Sequence, residues 1–177
     1  MAAGQQAVDT RVPVDVPEMD RQFFELQNQL RCNPRSFIPH LEQMLSQMEG
    51  NVIQRPGKPG IETEEGPSAV HEAIKYLERA SPVGLLRWGP ELAAAAKAHV
   101  EDIGPKGLDT HNSSDGTKSH TRCARHGARG MPCGENMSFG DETALDAVLS
   151  LFIDDGVSSR GHRDNIFDER FKVCGVY

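Results

Sequence analysis

Along the chain, apolar residues recur with a helical period in five separate stretches. In "EMDRQFFELQNQL", Phe23, Phe24, Leu26, Gln27 and Leu30 share a face, and Asn33-Pro34 ends the helix. In "RSFIPHLEQMLSQMEG", Phe37, Leu41, Met44, Leu45 and Met48 do the same, with Pro39 in the first turn and Gly50 closing the helix. Ser68 is placed to cap a third helix striped by Val70, Ile74 and Leu77. Gly89-Pro90 then opens "ELAAAAKAHVEDIG", whose buried stripe is expected to be Leu92, Ala95, Ala96, His99 and Ile103. Asp141 is placed to cap a further helix, with Leu145, Val148, Leu149 and Phe152 on one side.

Between these periodic stretches the pattern breaks. Residues 1–16 carry no period and read as a disordered arm before a single domain spanning 17–177. "NVIQRPGKPGIETEEGP" reads as an exposed Pro/Gly loop, and residues 104–139 as one long loop rich in Gly, Ser, His and Arg. Loops of that length in a compact domain are usually functional or disordered. "DDGVSSRGHRDNIF" is too polar and Gly-rich for core, and "FKVCGVY" alternates as a single strand that needs a partner from elsewhere.

Composition narrows the class. The 177 residues suit one domain, and the formal net charge of −7 argues against an electrostatic grip on nucleic acid. A local basic patch around Arg122, Arg125 and Arg129 is the one exception to that balance. No stretch approaches the roughly 20 apolar residues of a membrane span, and the start lacks the basic and apolar regions of a secretory signal. As written, the chain is expected to be cytoplasmic. The four cysteines lack zinc-ribbon spacing and are read as free thiols, although Cys123 and Cys133 are close enough in sequence for a disulfide in an oxidising compartment.

The residues with chemical capacity sit in the polar segments: His111, His120, His126, His162, Glu135, Asp154 and Asp155. Acids at the end of a helix oppose its dipole, so Asp154 and Asp155 are expected to have a use beyond local stability. "HRDN" imitates a kinase catalytic loop, but no Gly-rich phosphate loop, lysine strand or DFG accompanies it. Cys123 lies between His120 and His126 in sequence, without a signature of nucleophilic catalysis around it.

Four segments in order, "GPELAAAAKAHVEDIG", "THNSSDGTKSHTRCARHG", "CGENMSFG" and "DDGVSSRGHRDNIFDERFKVCGV", resemble the landmarks of the CAP/SCP superfamily. This superfamily holds cysteine-rich secretory proteins, antigen 5 and class-one pathogenesis-related proteins; the likeness is to its bacterial and protist SCP-like branch. The resemblance implies an α+β fold, an α-β-α sandwich with a central antiparallel sheet, here expected to lack its last strands. It implies a cleft of two histidines and two acids: His111 of "THNSSDG", Glu135 of "GEN", His162 of "GHR", and, for the second acid, Asp155.

Such a set implies a weak site for zinc or another divalent cation on His111 and His162, with the acids orienting the rings. It also implies a non-enzymatic binding module for a lipid, sterol or protein ligand. The alternative is a peptidase-like hydrolase with water as the nucleophile, Glu135 or Asp155 as general base and His111 or His162 polarising the substrate, Glu135 and His162 being the catalytic candidates. By resemblance the setting is extracellular if the N-terminus is incomplete. Asn136 and Asn165 are candidates to tie the cleft loops together, and Gly134 and Gly161 to admit close backbone approach.

Overall fold

The computed structural model describes residues 8–130 and 132–177; most of the expected arm, residues 1–7, lies outside them. Residues 8–17 form neither helix nor strand. Seven helices follow among the described residues: α1 (Glu18–Cys32), α2 (Ile38–Ser46), α3 (Pro67–Arg79), α4 (Pro90–Ile103), α5 (Ser119–Arg125), α6 (Ala144–Ile153) and α7 (Gly161–Phe167). Five two-residue strands accompany them: β1 (Met48–Glu49), β2 (Val52–Ile53), β3 (Ile61–Glu62), β4 (Arg87–Trp88) and β5 (Val173–Cys174). The fold is mixed α+β.

The main core gathers the apolar faces the periodicity predicts. Leu30 of α1, Leu41 and Met44 of α2, Val70 and Leu77 of α3, and Val148, Leu149 and Phe152 of α6 pack into one cluster. Helix α6 is the most apolar element, and seven of its ten residues are buried. That is why it sits centrally, against both α1 and α3. Tyr76, Phe152 and Phe167 form an aromatic triangle with centroid separations of 5.3–6.0 Å, joining α3, α6 and α7.

Several boundaries differ from the sequence reading. The second helix stops at Ser46, and Met48 belongs to β1, because Gly50 at φ 61° turns the chain into an antiparallel hairpin with β2. The Pro/Gly loop contributes β2 and β3, which pair antiparallel with Val52 opposite Glu62. Gly66 and Pro67, rather than Ser68, open α3; the Ser68 hydroxyl instead donates back to the Glu65 carbonyl at 2.6 Å. Thr143, not Asp141, caps α6, its side chain accepting from the Asp146 N–H at 3.1 Å. On α4, Ala95, His99 and Ile103 are buried as expected, while Leu92 and Ala96 are only partly covered.

The terminal strand finds its partner in the short apolar "GLLRW": β5 pairs parallel with β4, Trp88 opposite Cys174. Beyond it, Gly175 lies so close to the start of α4 that a Cβ there would sit 2.0 Å from the Ala93 nitrogen, so no other residue fits. No described helix is long and apolar enough to cross a membrane.

Two buried arginines lock the C-terminal third in place. Arg31 on α1 donates to the Gly84 carbonyl at 2.9 Å and to the carbonyls of Ile166 and, at 3.2 Å, Asp168. It thereby closes the orphaned C-terminal end of α7. Arg163 on α7 donates to the carbonyls of Phe152 at 2.7 Å and Ile153 at 3.1 Å, which does the same for α6.

The turn ahead of α7 is held from outside by Glu65, which takes both guanidinium nitrogens of Arg160 at 2.6 and 2.7 Å and the Gly156 N–H at 2.9 Å. The Arg160 pairing draws the Glu65 carboxyl from 4.5 down to about 2. A depressed carboxylate stabilises the fold above its unfolded value and loses that contribution as it protonates. Thermal stability is therefore expected to fall as pH drops from 4.5 towards 2, and Glu65→Gln to flatten that fall in a pH series of melting curves.

Candidate functional site

The segment 154–167 proves to be a device for aiming one histidine. Asp154 ends α6 in the left-handed conformation, φ 57°, which Asp tolerates better than most residues. The chain then turns through Gly156 and Arg160 and starts α7 at Gly161. This return brings Asp154 Oδ2 to the backbone N–H of His162 at 2.9 Å and Oδ1 to its ring Nδ1 at 2.7 Å. The carboxylate, 2% exposed, thus stands at the positive end of α7 rather than simply at the negative end of α6. That resolves the misfit of an acid at a helix C-terminus.

Asp155, expected as the second cleft acid, is not beside His162. Its two oxygens accept the N–H groups of Glu64 at 2.6 Å and Glu65 at 2.9 Å, ahead of α3. The reason is the left-handed turn at Asp154, which sends consecutive side chains in different directions. The acid beside His162 is Asp154.

The first histidine has an equivalent partner. His111 Nδ1 lies 3.0 Å from Glu135 Oε1, and the other carboxylate oxygen, Oε2, is taken by Arg122 of α5. Arg122 is itself buried and further donates to Ser113 Oγ at 3.0 Å. Glu135 can approach because Gly134 precedes it: a Cβ there would lie 2.9 Å from both Asn165 Oδ1 and the Phe171 ring. The two halves are stitched together next to Glu135. Asn136 donates to the His162 carbonyl at 3.0 Å, and Asn165 donates to Asn136 Oδ1 at 2.8 Å.

Both rings therefore meet a carboxylate through Nδ1. A carboxylate can only accept, so Nδ1 carries a proton and, in the neutral ring, Nε2 keeps its lone pair. An acid placed this way, on the far nitrogen of the ring, orients an imidazole that binds a metal through the other. Among the described residues, no group of three or more His, Cys, Asp or Glu is gathered tightly enough to hold an ion.

Sequence reasoning missed two participants. Arg122 belonged to an expected basic patch, but it is buried against Glu135, while Arg125 turns to Thr117 at 3.0 Å and Arg129 to the Ala124 carbonyl at 3.3 Å. The patch is dispersed. His99, expected in the core stripe, is indeed buried, yet its Nε2 donates to the Thr110 carbonyl at 2.9 Å and lies 4.0 Å from Glu135 Oε1. Its i+4 register with Ala95 and Ile103 gave no hint of this. His120 and His126 are exposed and stand outside both pairs.

Cys123 does not face either of its neighbouring histidines; its sulfur lies 3.1 Å from that of Cys133. The hydrogen bond between them draws the Cys123 thiol from 9.0 down to about 7 and pushes Cys133 up. The described surface has a depression of about 280 Å³ beside the site, lined in part by Asp102, Ser114, Asp115 and His126.

A family model described as CAP, the cysteine-rich secretory protein family, matches residues 24–177. No curated protein and no solved structure matches the chain significantly.

Proposed function

The chain belongs to the CAP, or cysteine-rich secretory protein, family, and from that premise we propose that it is a non-enzymatic binding module with a weak divalent-cation site on His111 and His162. The observation that carries this reading is the matched pairing of the two rings, Nδ1 on Glu135 at 3.0 Å and Nδ1 on Asp154 at 2.7 Å, which frees both Nε2 atoms. A bound cation would supply a positive centre for an anionic or carbonyl group of a ligand. The chain's own residues orient the rings: Arg122 holds Glu135 from behind, and the α7 N-terminus holds Asp154. Two protein ligands alone make the site open and of low affinity.

A lipid, sterol or protein ligand enters by likeness to the family, and extraction of the purified protein with organic solvent tests the first two. The hydrolase reading is weaker. Glu135 has both oxygens engaged, and Asp155 is spent on backbone amides, so neither is free to take a proton from water. Zinc titration by calorimetry tests the cation site: a single weak event is expected, and a heat trace no different from buffer would remove it.

A further inference from the structure

The two thiols beside the site meet through the return path of the chain. The loop leaving α5 folds back on the helix, with the Ala128 N–H on the Cys123 carbonyl at 3.0 Å and the Gly127 N–H on that of Ala124 at 3.3 Å. Gly127 and Gly130 take φ of 105° and 72°, which reverses the chain at positions that L side chains rarely adopt. What returns is "PCGEN". Its Glu135 docks on Arg122 and its Cys133 docks on Cys123, so adjacent residues of α5 receive both groups. The remaining cysteines have no sulfur partner among the described residues: Cys32 contacts the Gln29 carbonyl and Cys174 the Gln27 amide.

We propose that Cys123 and Cys133 close to a disulfide on exposure to a small-molecule disulfide such as oxidised glutathione, and that this bond fixes the Glu135 turn on α5. The sulfurs, 3.1 Å apart, need only a small side-chain rotation to reach bonding distance. Cys133, half-buried, is the thiol that an incoming disulfide can reach, while Cys123 is buried behind it. Cys133 attacks one glutathione sulfur as its proton passes to the neighbouring Cys123 sulfur, forming a mixed disulfide and expelling one glutathione thiolate. Cys123 then loses its proton to solvent and attacks the Cys133 sulfur, and the second glutathione leaves with the electron pair. Two protein thiols are oxidised and one glutathione disulfide is reduced to two thiols, each taking up a proton. The arrangement is independent of any metal on the histidines.

The test equilibrates the wild-type chain in glutathione buffers from reducing to oxidising, then alkylates it in denaturant and weighs it. Under oxidising conditions Cys32 and Cys174 are expected to take label while Cys123 and Cys133 do not, and digestion recovers the peptides joined through those two. Closing a loop over a separation of 10 residues is expected to raise the melting temperature by about 5–10 °C. Cys123→Ser/Cys133→Ser shows no such shift. Hydrogen exchange around residues 132–137 slows on closure. Label on all four cysteines at every redox poise overturns the proposal. So does glutathione retained on Cys133 without closure, or closure that leaves exchange at 132–137 unchanged. The comparison of oxidised with reduced wild type stands even if the double variant folds poorly.

Discussion

Zinc uptake is expected to vanish in His111→Ala/His162→Ala while the melting temperature stays close to that of the wild type. The loss follows from the donor count. With no third side chain gathered at the site among the described residues, the two imidazoles are its whole protein contribution. The fold survives because neither ring is core: their side chains are 51% and 27% exposed. Each acid also keeps a second partner, Glu135 on Arg122 and Asp154 on the N–H of residue 162, so no buried carboxylate is stranded. Calorimetry on folded double variant reads the outcome. Heat equal to the wild type's would place the cation elsewhere. Glu135→Gln and Asp154→Asn should each weaken uptake roughly 10- to 100-fold, the usual weight of an orienting acid.

The largest effect on stability is expected from Arg163→Ala. The guanidinium is 2% exposed and donates to two carbonyls at the end of α6 as well as to Glu72 at 2.7 Å. It also lies over the rings of Tyr76 and Phe152, at 5.1 and 4.9 Å. Truncation leaves both carbonyls without a donor and opens a cavity in the aromatic triangle. The cost is about 3–5 kcal/mol, which for a chain of this size lowers the melting temperature by roughly 6–20 °C. Arg163→Met separates the causes: it refills much of the volume but restores no donor, so it should recover only the smaller share. A melting curve for Arg163→Ala within 2 °C of the wild type would contradict this account. Because Arg163 follows His162 directly, the same residue that anchors α7 also fixes the second histidine.

The helices were legible because their apolar faces repeat faithfully: Leu30, Leu41, Leu77 and Phe152 all lie where period predicts. The short strands were not. Two residues per strand carry no alternation to read, and Met48 continues a helical stripe that Gly50 interrupts by backbone conformation alone. At the site, His111, Glu135 and His162 stood out as polar residues in Gly-rich motifs. The choice between Asp154 and Asp155 did not, because it turns on a single left-handed φ at Asp154 that leaves no mark in composition. Arg122 was hidden for another reason. Its charge suggested a surface, whereas its partner Glu135, separated by 13 residues, makes burial affordable. Helix α7 was equally obscure: its N-terminal turn is stabilised by Asp154 from the preceding helix and its last turn by Arg31 from α1.

The central claim is that Glu135 and Asp154 hold His111 and His162 by Nδ1 and leave Nε2 open. Nitrogen-15 spectra of the imidazoles, recorded at neutral pH before and after zinc, test it most directly. The Nδ1–H tautomer is expected for both rings, with zinc moving the two Nε2 signals and Asp154→Asn releasing His162 alone. An Nε2–H tautomer on either ring, or Nε2 signals that zinc leaves in place, would contradict it.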